Sequence, residues 1–179
     1  MTENLPASGG VPGQTGRIIQ ISISDGGVPK RAILTAQVLA TGLVGDRQAN
    51  RKVHGGPDRA VCLWSAEVIA RLQEEGHPIV AGAAGENVTI AGLNWPDLGP
   101  GVVLRLGETL LQVTDYAVPC RKNMRWFADR RFSRISQRHY PGSSRLYGRV
   151  LVPGRIAVGD RVTLQGLEIG AADIRDIHG

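Results

Sequence analysis

The sequence is poor in several residue types, and each shortage excludes a class of protein. Only 2 of its 179 residues are cysteine, which excludes a disulfide framework and predicts free thiols in a reducing, cytoplasmic setting. No apolar run approaches the ~20 residues that span a bilayer. The first ten residues lack the basic start and the apolar core of a signal peptide. We therefore expect a cytoplasmic protein with no membrane association.

Several motifs of known chemistry are also missing. There is no GxGxxG or GxxxxGK[ST] nucleotide motif, no GxSxG nucleophile motif and no Cys/His spacing typical of zinc. Nothing indicates a flavin, haem or iron–sulfur cluster, and no pyridoxal phosphate is expected. His77, His139 and His178 stand apart from other candidate ligands, and we predict that all three lie on the surface.

The positive charge is concentrated in one part of the chain. The net charge is +5 overall, but residues 117–150 hold nine bases and one acid, which gives 9 − 1 = +8. The rest of the chain, with 12 bases and 15 acids, has 12 − 15 = −3. A basic block of this kind attracts anions such as phosphates, nucleic acid or a membrane surface. Of the 21 bases, 18 are arginine, the side chain that binds phosphate and carboxylate bidentately.

Hydrophobic patterning predicts a mainly β protein, and 42% hydrophobic against 21% charged residues is typical of a globular domain. Residues 17–24 alternate, which places Ile19, Ile21 and Ile23 on one face of a strand. Ser65 is a candidate N-cap for a helix with Val68, Ile69 and Leu72 at helical spacing. Seven or eight short strands, few helices and 24 glycines favour a β-barrel or sandwich with a few short helices. We predict a flexible N-terminal tail, a domain and a C-terminal tail over 1–16, 17–166 and 167–179.

Three stretches carry residues suited to chemistry. In residues 45–62, charged side chains flank the turn Gly55-Gly56-Pro57, where the backbone can approach a ligand. In residues 118–123, Cys120 precedes Arg121 and Lys122, whose charge favours the thiolate over the thiol. The third stretch, GEN at 85–87, offers an acid and an amide. Taken singly, each is also compatible with a charged loop, an incidental thiol or an ordinary strand entry. Cys62, in an apolar strand, is predicted to be inert core.

Taken together and in order, these stretches resemble a MOSC domain. The resemblance lies in KVHGGPDRA (52–60), GEN (85–87), RLGETLLQVTDYAVPCRK (105–122) and YGRVLVPGRIAVGD (147–160). It is strongest to small stand-alone bacterial members, whose relatives confer resistance to N-hydroxylated bases, and it extends to the C-terminal domain of cofactor sulfurases. The resemblance implies a MOSC-type β-barrel. It also implies the molybdenum cofactor, a molybdopterin, with reduction of N-hydroxylated compounds such as nucleobases as the reaction.

The resemblance also implies roles for particular residues. Cys120 matches the cysteine that ligates the metal in this family. The catalytic candidates are Cys120, His54 as a proton donor or pterin contact, and Asp58 as a residue that orients a base or shuttles protons. Glu86 is an alternative for that last role. The candidate cofactor-binding residues are Arg47, Lys52, His54, Arg59, Glu86, Asn87, Arg121 and Arg149.

Two further hypotheses stay open on the sequence alone. In one, Cys120 carries a persulfide, and the protein delivers sulfur or cofactor without turnover. In the other, the basic block binds nucleic acid, with Trp126, Phe127 and Tyr140 stacking on bases, which we regard as the weakest hypothesis because it lacks a binding motif. A reductase would need an external redox partner as electron donor. The sequence leaves the oligomeric state open, with a dimer as one option.

Overall fold

The structure, a computed structural model, describes residues 13–47 and 56–166. Strands are the main regular structure of this part of the chain, which also has one α-helix, α1 (Ala66–Glu74), and four short 3-10 helices (Pro57–Arg59, Trp95–Asp97, Arg121–Trp126 and Phe132–Ile135). The strands are β1 (Thr15–Ile23), β2 (Arg31–Ile33), β3 (Thr35–Leu39), β4 (Gly42–Leu43), β5 (Val61–Ser65), β6 (Val88–Ala91), β7 (Val103–Leu106), β8 (Thr109–Ala117), β9 (Arg145–Val152), β10 (Gly154–Ala157) and β11 (Arg161–Gln165).

Seven of these strands close into a barrel. The order is β11-β7-β8-β9-β5-β6-β1, and β1 pairs in turn with β11, so the sheet meets itself. Strand β2 pairs with the end of β1 that lies beyond its pairing with β11. Strands β10, β3 and β4 form a separate three-stranded sheet. The pairs within the barrel are antiparallel except β5 with β6, which run parallel. The predicted mainly β fold, a β-barrel with a few short helices, is therefore confirmed.

The alternation predicted for β1 is wrong at one position. Ile21 and Ile23 are buried as expected, but Ile19 is 49% exposed and Ile18 is buried instead. The pairing of β1 with β6 shifts register between Ile18 and Gln20. A bulge of this kind inserts one residue and reverses which side chains face inward. The sequence pattern has no signal for it because Ile18 and Ile19 are equally apolar.

Helix α1 connects the two parallel strands, as a parallel pair requires a crossover. The Ser65 hydroxyl accepts hydrogen bonds from the backbone N–H groups of Glu67 and Val68, at 3.1 and 3.2 Å, which confirms the predicted N-cap. Val68, Ile69 and Leu72 are buried in the main core. No helix within the described residues is long and apolar enough to cross a membrane.

The basic block folds into the 3-10 helices Arg121–Trp126 and Phe132–Ile135 and ends in β9. Its arginines do not share one exposed helix. Arg134 forms an ion pair with Glu75 and lies over the Tyr140 ring, whereas Arg130 has a φ of 60° between the two helices. The predicted tails lie for most of their length outside the described residues, so the domain boundaries stay predictions.

Candidate functional site

A cavity of about 340 Å³ opens beside Cys120. This size lies in the range of roughly 300–1,000 Å³ that small-molecule sites occupy. Residues from β5, β9, the segments before β2 and β6 and the segment after β8 meet there, so the cavity exists only after the barrel has closed. Its lining consists of Gly27, Val28, Lys30, Arg59, Cys62, Ala84, Gly85, Asn87, Val118, Cys120, Arg121, Lys122, Asn123, Arg145 and Tyr147.

All formally charged side chains in this lining are cationic. They are five in number, and no aspartate or glutamate of the described residues is among the lining residues. Low-dielectric walls with charge of one sign focus the field and attract a ligand of the opposite sign. The cavity is therefore suited to an anionic ligand. The five cations are Lys30, Arg59, Arg121, Lys122 and Arg145.

Cys120 is held in place at the junction of β8 with the 3-10 helix that follows it. Its backbone N–H donates to the Asn123 Oδ1 atom at 3.2 Å, and the Asn123 N–H donates to the Cys120 carbonyl at 2.9 Å. The Asn123 side chain is buried and donates to the Ala84 carbonyl at 3.2 Å. These bonds tie the segment carrying Cys120 to the segment before β6. The thiol is partly exposed and lines the cavity.

Arg145 brings a buried positive charge to the same cavity. It is only 7% exposed, and its Nη1 donates to the Ala84 carbonyl. Its buried Nε has no hydrogen-bond partner among the described residues, and no carboxylate there lies within ion-pair distance. A buried guanidinium without a counter-ion is costly, which favours an anion at this position. Arg145 belongs to the basic block, but nothing in the sequence marks it as a site residue, because its inward orientation depends on its place in β9.

Asn87 and Asp46 form a polar junction beneath the cavity. Asn87 Oδ1 accepts from the Cys62 N–H at 3.1 Å, while its Nδ2 donates to the Ser22 carbonyl and to Asp46 Oδ2 at 3.2 and 2.9 Å. Asp46 also accepts from Lys30 Nζ at 2.6 Å, and both of these side chains are less than 10% exposed. The prediction that Asn87 belongs to the site agrees with its position in the lining. Lys30 was not predicted, because no local motif marks it.

Cys62 lies in this lining as well, next to Tyr147 across the β5–β9 pair. With Ala117 these two residues form a small cluster separate from the main core. Burial raises the pKa of Cys62 to about 11 and that of Tyr147 to about 12. Both groups therefore keep their protons at neutral pH. The prediction of an inert Cys62 agrees with its raised pKa, but the residue faces a cavity as well as the core.

The other predicted site residues are distributed more widely. Arg59 lines the cavity, where its guanidinium lies 5.2 Å from the centre of the Tyr147 ring. Asp58 and Arg149 form an ion pair with each other and do not line the cavity. Arg47, also outside the lining, pairs with Asp25 at 3.0 Å on the surface. Lys52 and His54 lie outside the described residues, so their roles stay predictions.

Glu86 is fully buried one residue from Asn87 but does not line the cavity. Its Oε1 accepts from the Gly82 N–H at 2.6 Å, and its Oε2 has no partner among the described residues. Burial raises the pKa of this carboxyl, an effect only partly opposed by the Gly82 hydrogen bond and the charge of Arg145. In the fold the Glu86 carboxyl therefore keeps its proton to a higher pH than in the unfolded chain.

The raised pKa predicts how stability changes with pH. The folded state binds a proton on Glu86 that the unfolded chain releases above its ordinary pKa near 4.5, so rising pH destabilises the fold through this group. Glu86→Gln mimics the neutral acid and removes the effect. In urea unfolding at pH 4 to 8, the free energy of unfolding of the variant should rise relative to that of the wild type by up to about 1.4 kcal/mol per pH unit. A constant difference across that range would mean that folding leaves the pKa of Glu86 unchanged.

The surface position predicted for His77 is wrong. The residue is 7% exposed, and its ring packs edge-on against Phe127 with the ring centres 5.2 Å apart. Its Nδ1 accepts from the Ala128 N–H at 3.2 Å. The segment after the 3-10 helix Arg121–Trp126 folds over the end of α1 and covers His77. The sequence around His77 does not reveal this contact. Phe127, buried in this contact, cannot stack on a nucleic-acid base.

No group of three or more His, Cys, Asp or Glu side chains that could hold a metal ion occurs among the described residues. Any metal at Cys120 would therefore take most of its ligands from another molecule. A molybdopterin brings two dithiolene sulfurs with its own metal, so a single protein thiolate is compatible with it. The donor set and the cationic lining fit such a group better than they fit a free metal ion.

The described residues thus define a small β-barrel domain with a thiol at a cavity whose charged lining residues are cationic. The family model for the MOSC domain matches residues 50–163. The chain belongs to the MOSC domain family, whose members are associated with molybdenum-cofactor proteins.

Two curated bacterial proteins and a solved structure are similar to the chain. It is 36% identical to YflK of Bacillus subtilis over 141 residues, which are 77% of this chain and 62% of YflK. It is 42% identical to YiiM of Escherichia coli over 85 residues, or 45% of this chain and 38% of YiiM. The matched regions thus cover less than two thirds of either relative. The crystal structure of YiiM from Geobacillus stearothermophilus superimposes with a TM-score of 0.65 at 26% identity and 87% and 78% coverage of the two chains.

Proposed function

We propose that this protein binds the molybdenum cofactor through Cys120 and reduces N-hydroxylated compounds. The observation that carries the proposal is the position of the Cys120 thiol in a cavity whose charged lining residues are all cationic. A soft thiolate suits a metal of this kind, and the cations suit the phosphate and dithiolene charges of molybdopterin. Membership of the MOSC family supports the same cofactor.

The chain's own residues have distinct tasks in this proposal. Arg145, buried and without an ion-pair partner among the described residues, would hold an anionic part of the cofactor, and Asn123 would keep Cys120 oriented. The bound cofactor supplies the two-electron chemistry. The overall reaction converts an N–OH group, two electrons and two protons into N–H and water. An external redox partner would deliver the electrons, since no other redox-cofactor motif is found in the sequence.

Proton delivery would fall to groups near the thiol. Tyr147 lines the cavity and keeps its phenolic proton at neutral pH. His54 remains a candidate donor from the sequence. Asp58 pairs with Arg149 outside the lining, so a proton-shuttling role for it would require this ion pair to open.

The activity can be tested with the purified, cofactor-loaded protein. With a chemical reductant such as reduced viologen, we expect an N-hydroxylated nucleobase to be converted to the amine. One molecule of water should form for every two electrons consumed. Product formation is measured by chromatography, with cofactor-free protein as the control. Full cofactor loading without any conversion of N-hydroxylated compounds would contradict the reductase proposal.

The sulfur-carrier hypothesis is kept because the Cys120 thiol is partly exposed beside Arg121 and Lys122, which would stabilise a persulfide anion. In that case the purified protein should release thiocyanate on treatment with cyanide, and Cys120→Ala should not. Cyanide-labile sulfur without molybdenum would favour the carrier, whereas molybdenum without labile sulfur would favour the reductase.

A further inference from the structure

A second open space continues from the cavity along the 3-10 helix Arg121–Trp126. It measures about 620 Å³ and shares part of its wall with the cavity, including Arg121 and Lys122. We call it the basic groove. Its lining consists of Gly26, Gly27, Val28, Arg121, Lys122, Met124, Arg125, Phe127 and Arg130.

The charged side chains of the basic groove are four cations, again with no acid of the described residues in the lining. None of the four has a carboxylate partner within ion-pair distance in the part of the chain described. Asp129, the acid closest in sequence, is engaged with the Arg131 backbone N–H at 2.9 Å. The repulsion among these cations is therefore not compensated within the described fold, and a bound anion would relieve it.

Two of these arginines are held in position. Arg125 lies over the Trp126 ring at 4.8 Å, and its Nη2 donates to the Val28 carbonyl at 2.5 Å. Arg130 donates from Nε to the Met124 sulfur at 3.4 Å, and its backbone takes a φ of 60°. Side chains that are already ordered lose less conformational entropy when they bind a ligand. The groove thus presents guanidinium groups at fixed positions.

The groove lies within reach of the thiol. A 3-10 helix rises about 2 Å per residue, so Arg125 is on the order of 10 Å along the chain direction from Cys120. That length is comparable with a nucleotide measured from its base to its phosphate. A molecule with its reacting nitrogen at Cys120 could place an anionic group among Arg125 and Arg130.

We propose that the basic groove binds a phosphate monoester on the substrate, which makes nucleotides, rather than free bases, the preferred class of N-hydroxylated substrate. The inference rests on the proposed function for the reaction itself. A phosphate monoester is also present on molybdopterin, so the cofactor is the alternative source of the same chemistry. We assign the groove to the substrate because Arg145 already provides a buried cation without a carboxylate partner inside the cavity, whereas Arg125 and Arg130 are exposed where ligands can exchange.

Binding can be measured without turnover. Isothermal titration of the protein with cytidine 5′-monophosphate and with cytidine, before and after cofactor loading, compares a ligand with and without the phosphate. We expect the nucleotide to bind at least about tenfold more tightly, because charge-assisted hydrogen bonds to phosphate are strong. This preference should persist in the loaded protein and decrease as salt is raised. Equal affinity for the two ligands would overturn the proposal.

Substitutions of the groove arginines test where the nucleotide phosphate binds. Arg125→Gln and Arg130→Gln should each weaken nucleotide binding by about tenfold and leave cytidine binding unchanged. Arg138→Gln, an exposed arginine of the same basic block outside the groove lining, is the matched control and should change neither. Loss of molybdenum and pterin from both groove variants would assign the groove to the cofactor and overturn the proposal. If the protein prefers the nucleotide but reduces no N-hydroxylated compound, the proposal that the basic groove binds phosphate stands and the reductase proposal is rejected.

Discussion

Cys120→Ala should lose molybdenum while the fold survives. The residue is partly exposed, so the substitution leaves no buried cavity, but it removes the proposed protein ligand to the metal. Disturbing even a supporting residue of a metal site typically costs 10–100-fold in affinity, and we expect the loss of a ligand to cost at least about 100-fold. Metal and pterin analysis of protein from a cofactor-producing host measures the effect, with circular dichroism to verify the fold.

Cys62→Ala is the matched control, since this thiol lines the same cavity. Burial raises the pKa of Cys62 to about 11, so it is protonated at neutral pH and is a poor metal ligand. This variant should keep its molybdenum, with a stability loss of about 1 kcal/mol from the lost sulfur. Equal molybdenum in wild type and Cys120→Ala would reject the proposed ligand. Loss of molybdenum from Cys62→Ala alone would mean that Cys62, and not Cys120, is the metal ligand.

Asp46→Ala should destabilise the fold by about 3–5 kcal/mol, because it leaves the buried Lys30 ammonium without its counter-ion. The same substitution removes acceptors for the Ser24 backbone N–H at 2.8 Å and for Asn87. Urea unfolding at neutral pH measures the loss. Because Asn87 also bonds to β1 and β5, the cavity wall should loosen along with the global fold.

A double-mutant cycle separates the charge effect from the lost hydrogen bonds. In Lys30→Met with Asp46→Ala, no buried charge of this pair remains, so the double variant should be more stable than Asp46→Ala alone by about 1–3 kcal/mol. Asp46→Asn, which keeps one acceptor oxygen, should fall between wild type and alanine. Additive losses from the two single substitutions would show that the ion pair contributes no coupling.

Local sequence signals predicted the secondary structure correctly where interactions between residues close in the sequence determine it. The Ser65 N-cap and the helical spacing of Val68, Ile69 and Leu72 define α1 because capping and amphipathic burial act over a few residues. The short strands separated by glycine turns indicated a barrel or a sandwich, because alternation and turn residues are also local signals. The bulge at Ile18–Gln20 and the burial of His77 escaped prediction because both arise from contacts with distant segments.

The sequence by itself determined the β-rich class, the family resemblance, the candidate thiol at Cys120 and the basic block around it. These are properties of composition and of short motifs. Only the tertiary structure decided which bases surround the thiol, since Lys30, Arg59 and Arg145 come from separate parts of the chain and meet when the barrel closes. It also separated Arg145 from Arg149, four residues apart on β9: the first is buried at the cavity, and the second pairs with Asp58 on the surface. The physical reason is that local patterns specify elements, whereas the orientation and solvation of a charged side chain depend on what the folded chain packs against it.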